Sequence, residues 1–141
     1  MTAFTDISRK IRQRFETQWT ASSPIPAPYY FAGQDVKAAI VNRETWVRLT
    51  IIPGDTSQNA LNGASGRRKR STGIARVDIY VPVGLGEGPA QALADTVAGL
   101  WEMSTVEGII YRATSVQRVG EVDNWLVYQA DTPFQSDTLV T

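Results

Sequence analysis

Arg67, Arg68, Lys69 and Arg70 follow one another inside "NGASGRRKRSTG". A run of cations in a glycine- and serine-rich setting can neutralise phosphates, which makes affinity salt-sensitive. It can equally meet an acidic surface on a partner subunit, or stay solvated. A freestanding nucleic-acid binder is expected to carry net positive charge and aromatics interleaved with its basic residues. Here Lys plus Arg and Asp plus Glu are 14 each, for a formal net charge of +0. The four cations are therefore candidates for an assembly contact, with a protein surface as the favoured target.

Other chemistry finds little support. The chain has neither cysteine nor histidine, which removes thiol chemistry, the commonest general base and the commonest metal ligand. Glu44, Asp55, Asp78, Glu87 and Asp95 form no sequence pattern that joins two carboxylates as acid and base. "GLGEG" lies between a predicted strand and a predicted helix, but no Lys-Ser/Thr follows it, and the Glu87 carboxylate repels phosphate. It reads as a turn. No catalytic, cofactor-binding or metal-binding residue is assigned, no cofactor is expected, and the chain is read as a non-enzyme.

Charge is uneven along the chain. Arg9, Lys10, Arg12 and Arg14 load the first helix, while Glu121, Asp123, Asp131 and Asp137 lie in the last part, where nothing basic follows Arg118. Segregated charge suits contacts between unlike surfaces of neighbouring subunits. Arg9, Arg12, Glu121 and Asp123 are the interface candidates, joined by Trp125 because aromatics are enriched at interfaces. No apolar run approaches the roughly 20 residues of a membrane span, and "MTAFTDISRKIRQRF" lacks the apolar block of a signal peptide. The chain is expected to be soluble, unprocessed and without a membrane partner.

The elements that must position these residues follow from periodicity. Ile7, Ile11, Phe15 and Trp19 recur every four residues and predict an amphipathic helix over 6–19. "TASSPIPAPYYFAG" is too proline-rich for helix and predicts an extended connector. "TWVRLTII" alternates as a strand, and "IARVDIYVP" predicts a second, antiparallel to it. Between them, residues 54–73 are expected to be a long mobile loop. Pro89, Ala90, Leu93, Ala94, Val97, Leu100 and Trp101 mark a second helix ending near Ser104. Two β-rich runs flanking 120–124 predict a hairpin. The sum is a single α+β domain over 1–141, with an antiparallel or mixed sheet of about four strands and two helices packed on one face.

The order and spacing of "IRQRFETQW", "SSPIPAPYYF", "WVRLTIIPGDTSQNALNG", "GIARVDIYVPVGLGEGPAQALADTVAGLW" and "VGEVDNWLVYQADTPF" resemble the tail terminator proteins of long-tailed bacteriophages, over about residues 7–134. The resemblance implies a structural virion protein, assembled in the host cytoplasm, that forms a homo-hexameric ring at the head-proximal end of the tail tube. Such a ring stops tube polymerisation and offers the docking surface for the head. The implied partners are the chain itself, the tail tube protein and the head-tail connector or neck proteins. Genome DNA would pass through the lumen without specific binding. A head-completion or neck ring protein is the alternative, and a small nucleic-acid-binding module a more distant one.

Overall fold

The computed structural model describes residues 4–22, 27–62 and 66–140. In chain order the elements are α1 (Phe4–Ser22), β1 (Tyr29–Phe31), α2 (Lys37–Asn42), β2 (Trp46–Asn62), β3 (Gly66–Pro82), α3 (Gly88–Trp101), β4 (Thr105–Val106), β5 (Ile109–Tyr111), β6 (Ser115–Val122) and β7 (Trp125–Val140). The strands form one curled, half-barrel sheet in the order β1-β2-β3-β7-β5-β4, with β6 also on β7. The expected sheet of about four strands with two helices is thus corrected to a mostly-sheet fold with, among the described residues, seven strands and three helices.

The largest difference lies at 54–73. Instead of a long loop, β2 continues to Asn62 and β3 begins at Gly66; residues 63–65 of the expected loop lie outside the described residues. The β3–β7 ladder runs without a shift from Arg67↔Val140 to Pro82↔Trp125. Its pairing on both flanks makes strand of a stretch whose glycines and serines have poor intrinsic β propensity. On the other flank of β3 the pairing with β2 is shifted between Pro53 and Thr56 and between Gln58 and Ala60.

Alternation along β3 separates two cores. Ala75, Val77, Ile79 and Val81 face α1 and α3, whose Ile7, Ile11, Phe15, Trp19, Leu93, Val97 and Trp101 complete the main cluster. On the opposite face, Trp46, Trp125 and Val127 pack against Ala39 of α2, with Tyr30 and Tyr80 at the margin. The short helix α2 is therefore the lid of a second, aromatic core that a two-helix arrangement lacks.

The predicted hairpin is present as β6–β7, but its turn is Asp123–Asn124, with φ of 51° and 67°. Two successive positive φ values are those of a tight type I′ connection, which suits the twist of the flanking strands. Gly120 belongs to β6, at a register shift between Arg118 and Gly120.

Candidate assembly surface

Beyond Pro53 and Gly73, β2, β3 and the end of β7 continue as a three-stranded antiparallel ribbon. The cation run is its middle strand. Arg67 to Arg70 stand opposite Leu61, Ala60, Gln58 and Ser57 on one side, and opposite Val140, Leu139, Thr138 and Asp137 on the other. Strand alternation puts Arg70 on the face of Arg76, and Lys69 on the face that carries the main core lower down. A run read as loop is thus a strand held in register on both flanks.

Two cross-strand pairs repeat along this ladder. Arg70 donates to both carboxylate oxygens of its register partner Asp137, at 2.9 and 3.1 Å. Arg76 does the same to Asp131, at 2.8 and 3.0 Å. Bidentate pairing is the strongest geometry open to a guanidinium and a carboxylate. The hydrogen bonds to Asp137 and Asp131 hold both guanidiniums above their ordinary value. Two of the acidic residues that the sequence sets apart from the cations are therefore neutralised inside the same chain.

The remaining interface candidates are dispersed. Arg9 bonds Asp6 and Gln13 of its own helix, and Arg12 borders a shallow cleft with Phe31 and Leu49. Glu121 lines a cleft with Arg118, Glu87 and Leu126, and Asp123 is in the hairpin turn. Trp125 is only 8% exposed and lies under the Arg43 guanidinium, 5.3 Å from its ring centre. Its ring is committed to the aromatic core. Among the described residues no hydrogen bond or ion pair joins Arg9 or Arg12 to Glu121 or Asp123.

"GLGEG" forms the turn into α3, with Gly84 and Gly86 at φ of 111° and 80°. Glu87 accepts from the Tyr128 hydroxyl at 2.6 Å and from Arg118 at 2.5 Å, and these two partners hold its carboxyl below the usual range. Glu87 is the N-cap residue of α3 but makes no side-chain capping bond, its carboxylate being taken by Tyr128 and Arg118.

Sequence reasoning gave no weight to one polar cluster on the α2 face. Asp78 is 7% exposed and faces Arg48 across the β2–β3 ladder, at 3.7 Å. Arg48 lies over the rings of Trp46 and Tyr80, which stack at 4.1 Å, and donates to the Tyr80 hydroxyl at 3.0 Å. One Asp78 oxygen, Arg48 Nε and Trp46 Nε1 have no hydrogen-bond partner. Burial pushes the Asp78 carboxyl up despite the neighbouring Arg48. The other carboxylate acting on Asp78 is Asp131, which Arg76 holds in a bidentate pair. Among the described residues, no three metal-ligating side chains gather, and no helix is long and apolar enough to cross a membrane.

The raised Asp78 value sets a pH dependence. Below the ordinary value of 3.8 the carboxyl is protonated in both states and contributes nothing. As pH rises from there, the unfolded chain ionises first and stability falls, levelling once the folded carboxyl has also ionised. Asp78→Asn is expected to remove this decline and to leave the protein at least as stable as the parent at pH 7. Urea titrations at pH 3.5, 5 and 7 check this; a variant clearly less stable at pH 7 contradicts it.

A solved chain of similar architecture has a TM-score of 0.61 at 16% identity, covering 93% of this chain and 96% of that one, which establishes likeness of fold. No curated protein matches the chain. The family model for phage tail terminator proteins matches residues 6–123, from the first turn of α1 to the β6–β7 turn. With that match over most of its length, the chain belongs to the phage tail terminator family.

Proposed function

We propose that this structural phage tail protein closes into a homo-hexameric ring at the head-proximal end of the tail tube. There it ends tube polymerisation and presents the surface on which the head, through its connector or neck proteins, docks. The observation that carries this is the ribbon. It extends β2, β3 and β7 past the last main-core pair and places Arg67 to Arg70 along its centre. Heterologous contacts between a projecting element and a different surface of the next copy generate a ring when the rotation closes. The chain acts by contact, as a virion component and without catalysis, and genome DNA crosses the lumen without a specific site.

Replacing Arg67, Arg68, Lys69 and Arg70 together by Ala tests the assembly role. The run lies beyond the main core, so the variant should still fold; losing the Arg70–Asp137 pair costs little, because solvent and salt screen an exposed ion pair. Capping of tail-tube protein should fall at least tenfold. If capping survives while only duplex DNA affinity drops, the ribbon is a nucleic-acid contact and its assembly role is wrong.

A further inference from the structure

Strand β6 is an edge that the chain leaves open. All eight of its residues are exposed or half-exposed, and among the described residues it pairs with β7 alone. Val116, Val119 and Val122 are 46, 48 and 49% exposed. An edge of this length presents unpaired N–H and C=O groups, which chains usually shield with charge, a cover or brevity. Here Arg118 is drawn aside to Glu87, and the β-branched side chains left on the strand favour pairing.

The sheet's other edges differ. At β1, the Phe31 N–H donates to the Gln34 side-chain oxygen at 2.8 Å, and the Phe31 carbonyl accepts from the Gln34 N–H at 3.0 Å. That edge is capped from within. Strand β4 is two residues long. One further long edge exists among the described residues, the outer flank of β2 along the ribbon. The β1 pairing ends at Leu49, and residues 56–62 pair only with β3.

We propose that β6 of one subunit receives the outer flank of the ribbon, residues 56–62 of β2, from the neighbouring copy. The two edges are seven and eight residues long and unlike each other, so their union is heterologous and propagates around a ring. Charge agrees with this choice of occupant. The run at 67–70 lies one strand behind the incoming edge and is opposite in sign to Glu121 and Asp123, which flank the end of β6 at Val122. The inference rests on the ring proposed above and names its joint.

The chain has no cysteine, so introduced thiols report only the contact they are placed to test. Neighbouring strands lie about 4.8 Å apart, within disulfide reach. Val119→Cys is combined in turn with Thr56→Cys, Gln58→Cys and Ala60→Cys, and each full-length double variant is oxidised on capped tubes. The expected result is a ladder of covalently linked subunits for at least one pair and none for the single variants. Caps that form normally and yield no ladder from any pair overturn the β6 joint and leave the ring intact. A ladder without caps supports the joint and removes the capping role. Neither caps nor ladder overturns both.

Discussion

Trp101→Ala should destabilise the protein by about 3–5 kcal/mol, the cost of emptying a large aromatic site that cannot collapse. Trp101 is 1% exposed at the end of α3, stacks on Tyr111 at 5.4 Å, and lies 6.0 Å from Phe15 of α1. Its indole N–H donates to Thr132 Oγ1 at 2.9 Å, inside β7. One side chain therefore ties both main helices to the longest ladder of the sheet. Trp101→Phe keeps most of the packing and breaks only the hydrogen bond. Thr132 retains the Thr114 hydroxyl at 2.7 Å, so this second variant should lose about 1–2 kcal/mol. Chemical denaturation of the three proteins decides it. Equal losses for Ala and Phe would mean that the hydrogen bond, and not the packing, dominates.

Gly73→Val is the second large effect, and its cause is steric. Gly73 stands between Pro53 and Phe134 in the ladders, where the ribbon leaves the main core. A Cβ there would meet the Ile52 carbonyl oxygen at 2.6 Å and the Phe134 ring at 2.6 and 2.9 Å. The Phe134 ring lies across the glycine of the adjacent strand, so only hydrogen fits. Relief requires the β2 backbone to move, and a loss of about 3 kcal/mol is expected. For a domain of this size that corresponds to a fall in Tm of roughly 10 °C. Gly99→Ala is the matched control. It lies in α3 with nothing within 4 Å of the added carbon, and should gain about 0.5–1 kcal/mol. Scanning calorimetry should move the two variants in opposite directions; a neutral Gly73→Val would show that the strands tolerate a wider spacing at the neck of the ribbon.

Legibility in the sequence followed how local each cause was. The four-residue spacing of Ile7, Ile11, Phe15 and Trp19 announces α1, and all four are buried at 2% exposure or less. The apolar stripe of α3 and the alternation of β3 from Ala75 to Val81 are equally local. Residues 54–73 misled because Gly, Ser and Arg argue for loop, while pairing with β2 and β7 on either side imposes strand. Strand β7 contains Pro133, a poor residue for a central strand, yet it stands opposite Ile74 and accepts the Arg112 N–H at 2.8 Å. Helix α2 is six residues long, too short for a periodic signal, and its end is set by Arg43 at φ 52°.

The surface chemistry was less legible still. Arg70 and Asp137 are 67 positions apart, and Arg76 and Asp131 are 55 apart. Sequence shows these only as a basic segment and an acidic one, which argues for contacts between chains. The register of β3 on β7 turns them into partners within one chain. Which cations remain for assembly is thus a property of the ladder, and Trp125 passes from interface candidate to core for the same reason.

The most direct test of the central claim is tube length. Tail-tube protein is polymerised with and without this chain, and the tubes are measured in electron micrographs while ultracentrifugation follows the species bound. The account predicts tubes that stop growing at a ring-shaped cap containing this chain, whether or not the isolated protein is already a ring. Tubes that grow to the same length in its presence, with no chain at their ends, would contradict it and direct attention to the neck of the particle.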